Sequence, residues 1–342
     1  MKNIIFLVSG EKKPAGGNKI IYQFSNYINS LTGFTSSIVF IKKKKSKKWI
    51  DSINKKFFKK NINIKNWQFQ DIDVEKNPFV EWSGTKVNIK KNLLFHKKKD
   101  HIILPEIYAH FAADFLIKKK ISYSIFVQNG YAIFPTNDIK KLHFSYQHSK
   151  FILTCSKDIR SCIRIVFPSF KKKIIKIINS VNSKSLLTKI KKENLISFMP
   201  RKLSKHSELV INFLRNHLPK GWRIISIENM NEKNVFNIFK KSKIFLSFSE
   251  LEGLGLPPIE AALAGNKVIG YTGEGGCEYW KKPIFEEIKN GEIKKFCYVI
   301  LKNIKQIKNF KNKSKKLRKE LSIKYSVSNQ RKSILKFLKK LS

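Results

Sequence analysis

The sequence predicts an α/β protein built from two successive domains of similar design. Short, continuously apolar runs alternate with amphipathic segments, which is typical of buried parallel strands joined by helices. A glycine-containing loop follows the first apolar run, and the same alternation starts again near residue 194. The chain has 342 residues, of which 42% are hydrophobic, so it can fill two cores of ordinary size.

The first half opens as a strand–helix–strand unit. An apolar run at residues 3–9 predicts a buried strand, and helical spacing of apolar side chains over 20–31 predicts the next helix. The loop at 10–18 follows the carboxyl end of the first strand, where open α/β sheets bind ligands. The further elements predicted for this half are strands at 36–41 and 101–104, a helix at 105–118, and strands at 122–128, 151–155 and 174–181.

The second half repeats this alternation after a polar stretch at 182–193, which suits an interdomain linker. A helix is predicted at 204–218, with Leu209, Phe213 and Leu214 on its buried face. The remaining predicted elements are strands at 194–199, 222–227, 243–249 and 267–271, helices at 231–242 and 258–264, and a helical end from 294 to 341.

These elements define the predicted domain boundaries. Two Rossmann-like domains are expected at residues 1–181 and 194–320, followed by a C-terminal helix at 321–342. The strict alternation of strands and helices argues against an all-β protein or a helical bundle.

The chain carries a formal net charge of +46, which by itself suggests a nucleic acid or an anionic membrane as partner. Seven of the 70 Lys and Arg residues are Arg, which leaves 63 Lys spread along the whole chain. A protein that grips phosphates in a fixed geometry favours Arg for its bidentate fork. We therefore expect mostly solvated lysines, no nucleic-acid partner, and an anionic membrane surface as a secondary partner.

The cysteines and apolar runs bear on the compartment. Cys155, Cys162, Cys277 and Cys297 form no C-x-x-C pair and complete no zinc-site spacing, which is typical of thiols in a reducing compartment. The first apolar run is too short for a signal peptide, and no run approaches the roughly 20 apolar residues that span a bilayer. We expect a cytoplasmic protein, peripheral on the inner face of the membrane.

Two carboxylates, Glu252 and Glu260, bracket a strand end, a glycine loop and a helix start. Pro257 and Pro258 suit the first turn of that helix, because proline lacks only an N–H that has no intrahelical partner there. Free N–H groups at a helix start and the helix dipole together favour an anion. The loop between the carboxylates consists of Gly253, Leu254, Gly255 and Leu256.

The full pattern resembles the E-x7-E signature of retaining GT-B glycosyltransferases, the family 4-like group that uses nucleotide-sugar donors. The match covers residues 249–265, the following strand at 268–271 and the segment at 275–279. It is specific over roughly 195–280 and diffuse in the first half. The resemblance implies a GT-B architecture, in which two Rossmann-like domains face a cleft and the C-terminal helix crosses back.

The resemblance also implies roles for the two carboxylates. Glu260 would accept hydrogen bonds from the ribose hydroxyls of the nucleotide, since an ionised carboxylate is an acceptor and a diol offers two donors. Glu252 would hold the donor sugar or stabilise positive charge at its anomeric carbon. Glu250 lies two residues away and competes for that role, although the spacing favours Glu252.

Cations and glycines elsewhere complete the implied donor site. Arg201 and Lys202 follow the first strand of the second domain, where they would stabilise the charge that the leaving diphosphate gains. Lys205 is an alternative partner for Arg201. Gly16 and Gly17 resemble the glycine loop that approaches the donor phosphates from the first domain, although a simple tight turn explains them equally well.

Candidate acceptor-side residues lie at two strand ends in the first half. Glu106 and His110 stand one helical turn apart and could share a helix face, although Glu106 also simply favours the helix dipole. Gln128 and Asn129 end the next strand, where Asn129 with the following glycine is also an ordinary turn signal.

The predicted activity is the transfer of a sugar from a nucleotide-sugar donor to a glycan or lipid-linked acceptor. The resemblance implies a retaining, metal-independent reaction without a cofactor, closure of the domains around the substrate, and a place in cell-surface polysaccharide or lipopolysaccharide assembly. Two other functions stay open at this point: a nucleotide-sugar 2-epimerase on the same fold, and a non-enzymatic polyanion-binding protein.

Overall fold

The computed structural model describes residues 2–10, 16–44, 67–187, 190–307 and 310–341. Much of the lysine-rich stretch in the first half, and the middle of the first glycine loop, lie outside these ranges.

The chain divides into two compact units, each built around its own sheet. The first unit comprises Met1–Thr154 and Ile159–Lys176, and the second comprises Cys155–Asp158 and Ile177–Ser342. The predicted two-domain α/β class is therefore confirmed. The last helix of the chain belongs to the second unit.

The first unit contains a seven-stranded sheet. Its strands are β1 (Lys2–Ser9), β2 (Phe34–Lys43), β3 (Ile72–Val74), β4 (Asp100–Pro105), β5 (Ser122–Val127), β6 (Ile152–Thr154) and β7 (Ile174–Lys176). They follow the order β3-β2-β1-β4-β5-β6-β7 and pair in parallel, apart from the antiparallel pair of β2 and β3. The centres of β1, β2 and β4 are fully buried apolar runs, as a sheet covered on both faces requires.

Strand order in this sheet reverses between β1 and β4. The chain passes from β1 to β2 on one side, and later returns to β4 on the other side of β1. The helices along this part of the chain are α1 (Gly16–Asn29), α2 (Ile139–His148) and α3 (Lys157–Val166).

The second unit contains a five-stranded, fully parallel sheet. Its strands are β8 (Leu195–Phe198), β9 (Arg223–Ser226), β10 (Ile244–Glu252), β11 (Lys267–Glu274) and β12 (Phe285–Glu287). They follow the order β12-β11-β10-β8-β9, so strand order reverses between β8 and β10. Its helices are α4 (Ser183–Leu186), α5 (Ser204–Leu214), α6 (Glu232–Lys241), α7 (Leu256–Leu263), α8 (Ile293–Gln306), α9 (Phe310–Lys324) and α10 (Val327–Leu341).

Two predictions about local structure were wrong. Residues 105–118 do not form one α-helix, because β4 runs through Pro105 and is followed by a 3₁₀ turn and a five-residue π-helical segment. Residues 174–181 hold only the short strand β7. The end of the chain from residue 294 is mainly helical, as predicted, and is divided among α8, α9 and α10.

The predicted buried face of α5 was also partly wrong. Leu214 is buried, but Leu209 and Phe213 are exposed, and Val210 takes the expected core position. The two exposed side chains line an open groove of about 510 Å³ beside the start of α8. Periodicity alone could not fix the register here, because apolar residues occupy more than one face of this helix.

Close packing between β10 and β11 depends on glycine at residue 270. Gly270 has a φ of +134°, and a Cβ there would lie 2.2 Å from the carbonyl oxygen of Ser247 and 2.8 Å from the ring of Phe296. The first contact is with backbone and cannot be relieved by a rotamer change. Ser247 and Phe296 therefore fill the space that a side chain at residue 270 would need.

We predict that Gly270→Ala destabilises the protein by several kcal/mol or prevents folding, since backbone strain and overlap add. Gly291→Ala is the matched control: its φ is +87° but no atom lies within 4 Å of the added Cβ, so only about 1–2 kcal/mol is expected. Urea unfolding of both variants measures the difference. Equal losses of stability would contradict the steric argument.

Candidate functional site

The carboxyl end of β10 bends before it reaches the glycine loop. Ser249 pairs with Thr272, and the register then shifts so that Glu252 pairs with Glu274. Leu251, inside this irregularity, has a φ of +45°. A bulge of this kind turns the strand and redirects its side chains. Glu250 is exposed, whereas the side chain of Glu252 is half-buried.

The helix α7 begins at Gly255, which is the N-cap and has a φ of +74°. The two prolines fall in its first turn, as the sequence predicted. The carbonyl oxygen of Gly255 accepts a hydrogen bond of 2.7 Å from the hydroxyl of Tyr279, which comes from the turn after β11. Burial and the nearby charge of Glu252 hold the pKa of Tyr279 well above its ordinary value, so its hydroxyl stays protonated and can donate.

Tyr279 is a contributor that the functional interpretation of the sequence did not identify. It lies in the segment at 275–279 that carried the family resemblance, but its buried hydroxyl and its bond to the helix start depend on the packing of two loops. A Cβ at Gly275 would lie 2.3 Å from the carbonyl oxygen of Gly253, so the two loops touch backbone to backbone. The start of α7 is therefore fixed from the neighbouring strand.

A cation from the segment after β8 reaches the carboxylate at the end of β10. The Nζ of Lys202 lies 3.6 Å from Oε1 of Glu252, with side chains 34% and 26% exposed. β8 and β10 are neighbours at the reversal of strand order, and their carboxyl ends meet at the same edge. Ligands of open α/β sheets bind at such a point. Lys205, the alternative partner considered from the sequence, is exposed.

An open groove of about 400 Å³ lies within the second unit, at the segment that precedes Lys202 in the chain. Arg201 lines it together with the first turns of α5 and the loop after β9. Its lining combines apolar, hydroxyl and charged side chains, which suits a polar ring compound. The lining residues are Phe198, Pro200, Arg201, Ser204, Ser207, Glu208, Ile211, Asn212, Ser226 and Glu228.

The remaining donor-side predictions are placed as follows. Glu260 lies in α7, one turn beyond its start, and its side chain is half-buried. Gly253, Leu254 and Gly255 are buried, and Leu256 is partly buried as the first residue of the helix. The structure thus brings Glu252, Lys202 and the start of α7 to one edge of the second sheet.

The first unit gathers four of the other predicted residues at the carboxyl edge of its sheet. The two carboxylate oxygens of Glu106, after β4, accept hydrogen bonds of 3.0 Å from the backbone N–H groups of Gln128 and Asn129, after β5. The Nε2 of Gln128 donates to the carbonyl oxygen of Gly17 at the start of α1, at 2.9 Å. Gly16, the first residue of α1, has open space where a Cβ would stand.

His110 is fully buried, which does not suit direct contact with a substrate. Its Nε2 lies 2.6 Å from the carbonyl oxygen of Trp67, and its Nδ1 has no hydrogen-bond partner within the described chain. Burial lowers the pKa of the imidazole, so it is neutral near pH 7. Its ring is tilted against that of Phe111, with ring centroids 4.4 Å apart, and it is packed inside the first unit.

The described residues hold neither a metal-binding cluster nor a membrane-spanning helix. They contain no group of three or more His, Cys, Asp or Glu side chains that could hold a metal ion. None of the helices over those ranges is both long enough and apolar enough to cross a membrane.

Comparison with known proteins identifies the fold. No protein-family model and no curated protein sequence matches this chain. Solved structures with the same fold include Anabaena Alr3699/HepE in complex with UDP and glucose, with 10% sequence identity, a TM-score of 0.68, and alignment over 99% of this chain and 100% of that one.

Two further structures extend this likeness. S. aureus TarM, in complex with Fondaparinux, alpha-GlcNAc-glycerol and UDP, is 13% identical with a TM-score of 0.67 over all of both chains. The lipopolysaccharide outer core galactosyltransferase WaaB is 14% identical with a TM-score of 0.60 over 99% of each chain. The architecture is that of the GT-B glycosyltransferases, which confirms the predicted fold class.

We predict a pH-dependent contribution of Glu106 to stability. Burial raises its pKa from 4.5 to about 7, although the N–H groups of Gln128 and Asn129 oppose this rise. Between pH 4.5 and 7 the folded chain keeps a proton that the unfolded chain has released, so the free energy of unfolding falls as pH rises through this window. The slope contributed by one proton is at most about 1.4 kcal/mol per pH unit.

Urea unfolding of the wild type and of Glu106→Gln from pH 4 to 8 tests this. The free energy of unfolding of the wild type, relative to that of Glu106→Gln, should decrease as the pH rises to 7 and stay constant above pH 7. Parallel curves over the whole range would contradict a raised pKa at Glu106.

Proposed function

We propose that this chain is a glycosyltransferase that uses a nucleoside-diphosphate sugar as donor. The observation that carries the proposal is the meeting of Glu252, Lys202 and the start of α7 at the strand-order reversal of the second sheet. A carboxylate, a cation and a helix start in one place offer groups for a sugar hydroxyl and for a diphosphate. The bound molecules of the HepE and TarM structures, UDP with glucose and UDP, are of this chemical class.

The reaction requires stabilisation of a leaving diphosphate. The bond between the anomeric carbon and the diphosphate oxygen breaks, the oxygen of the acceptor hydroxyl bonds to that carbon, and the hydroxyl proton leaves with the diphosphate. Negative charge grows on the diphosphate as its bond breaks. Lys202, Arg201 and the backbone N–H groups from Gly253 to Leu256, just before the prolines of α7, would stabilise that charge, which is commonly the largest catalytic contribution.

The two carboxylates would act on different parts of the donor. Glu260, one turn into α7, would accept hydrogen bonds from the ribose, and the groove beside Arg201 would take the nucleobase. Glu252 would hold the sugar, because it is the half-buried carboxylate at the strand end and Glu250 is exposed. We further propose retention of configuration at the anomeric carbon without a metal ion.

The acceptor class is proposed from similarity of fold. A glycan or lipid-linked acceptor in surface polysaccharide assembly agrees with the galactosyltransferase activity in the name of WaaB. The charge of +46 is suited to an anionic membrane surface, at which lipid-linked acceptors reside. Transfer of glucose from UDP-glucose to water or to simple glycosides is the first activity to measure.

We predict that Glu260→Gln weakens the binding of UDP by about 10- to 100-fold, because a hydrogen bond to a charged acceptor is replaced by one to a neutral amide. Titration calorimetry with UDP, ADP and GDP measures this and selects the base. Glu250→Gln is the matched control and should bind like the wild type, since its carboxylate is exposed and two residues from the strand end. If Glu260→Gln bound the nucleoside diphosphate as tightly as the wild type, Glu260 would not be the residue that holds the ribose.

We predict that Lys202→Ala lowers kcat for transfer by roughly 100- to 1,000-fold, the effect of removing one group that stabilises transition-state charge. The melting temperature should change little, because its partly exposed ion pair with Glu252 is worth less than about 1 kcal/mol. Lys205→Ala is the control and should retain activity.

Incubation of the wild type with the nucleotide sugar alone separates transfer from epimerisation. Accumulation of an epimerised nucleotide sugar without acceptor would establish the alternative enzyme. Retention of nucleic-acid binding in Glu252→Ala and Glu260→Ala, with no binding of any nucleotide, would instead support a polyanion-binding protein.

A further inference from the structure

A buried carboxylate in the first unit holds the loop that follows β5. Glu106 is 5% exposed, and its two oxygens accept the backbone N–H groups of Gln128 and Asn129. Both oxygens face protein backbone, so this carboxylate is not placed to contact a substrate. Its contacts are those of a clamp on the segment at residues 128–134, which we term the β5 loop.

The β5 loop is fixed at two further points. The side chain of Gln128 donates to the carbonyl oxygen of Gly17, which ties the loop to the start of α1. A Cβ at Gly130 would lie 2.7 Å from Sγ of Cys162 and 3.4 Å from Cα of Ile159, so the loop also packs directly on α3. Three elements therefore determine where the loop lies at the carboxyl edge of the sheet.

The fixed part of the loop leads directly to two exposed aromatic side chains. The Oδ1 of Asn129 accepts the N–H of Tyr131 at 2.9 Å and caps the 3₁₀ turn that follows. Tyr131 and Phe134 are 36% and 44% exposed. Aromatic rings offer a large contact area, and tyrosine adds a hydroxyl. Exposed aromatic rings of this kind suit the C–H face and hydroxyl groups of a sugar ring.

We propose that Glu106 is a positioning residue for acceptor recognition: by fixing the backbone at Gln128 and Asn129, it holds Tyr131 and Phe134 in the place where the sugar of the acceptor binds. This inference rests on the proposed transferase function. It assigns the acceptor contact to the aromatic rings and gives the carboxylate an indirect role.

The clamp requires a carboxylate rather than an amide. In Glu106→Gln the shape is kept, but one of the two acceptors becomes an NH₂ donor that faces a backbone N–H. Asp100 provides a matched control at the other end of β4. It is 8% exposed and accepts hydrogen bonds from the N–H of His96 and the Nδ2 of Asn3, at the end of β4 opposite to Glu106.

The test compares full-length wild type, Glu106→Gln and Asp100→Asn in three measurements. Hydrogen exchange by mass spectrometry follows the amides of the β5 loop, calorimetry gives the Kd of UDP, and steady-state kinetics with UDP-glucose gives KM for the best acceptor in a panel of p-nitrophenyl glycosides. In Glu106→Gln we expect exchange in the loop to rise about 10-fold and acceptor KM to rise 10- to 100-fold, with the Kd of UDP unchanged. Asp100→Asn should change none of the three.

A second variant probes the contact directly. Tyr131→Ala with Phe134→Ala should raise acceptor KM to a similar extent without altering the exchange of Gln128 and Asn129. Unchanged exchange in Glu106→Gln, or faster exchange with unchanged acceptor KM, would overturn the positioning role while leaving the transferase intact. Absence of binding of UDP, ADP and GDP, and of turnover of their sugars, in the wild type would instead overturn the proposed function.

Discussion

The reversal of strand order between β8 and β10 is the constraint on which the candidate donor site depends. Neighbouring parallel strands end at the same edge, but their following segments diverge to opposite sides only where the order reverses. At this place Lys202 and Glu252, from segments distant in the chain, come within 3.6 Å. The bulge at the end of β10 and the glycine N-cap of α7 then orient Glu252 and the first turn of that helix. The same reversal between β1 and β4 brings the β5 loop and the start of α1 toward one edge of the first sheet.

Sequence patterns predicted much of the fold because the buried parallel strands carry uninterrupted apolar runs. They failed where the physical determinant is not periodic. The segment after Pro105 contains apolar residues at helical spacing, but it is broken into 3₁₀ and π turns as Glu106 turns inward to hold backbone N–H groups. In α5 apolar side chains occur on both faces, so Leu209 and Phe213 were placed in the core and are exposed.

The sequence predicted the part of the candidate site that lies within one segment of the chain. It did not predict the contacts between segments that are distant in the chain. The spacing from Glu252 to Glu260 with its glycines and prolines located the helix start, because capping and turn preferences are local. The contact of Lys202 with Glu252, and the hydroxyl of Tyr279 on Gly255, depend on loops from different strands and leave no local pattern. For Glu106 the sequence suggested a helix-dipole role or a place near the acceptor. The structure shows a carboxylate whose oxygens are both occupied by the next loop.

The backbone contact of Gly253 with Gly275 has a consequence for how such a site can change. The two loops touch through their backbones, and the hydroxyl of Tyr279 donates a hydrogen bond to the helix cap. The end of β10 and the turn after β11 are therefore held rigidly together. The lining of the groove beside Arg201 includes no residue of these two loops, so substitutions along the groove leave this contact undisturbed. Exchange of the E-x7-E segment between related proteins, in contrast, requires the turn after β11 to move with it. The two loops therefore act as one structural unit, in which neither changes without the other.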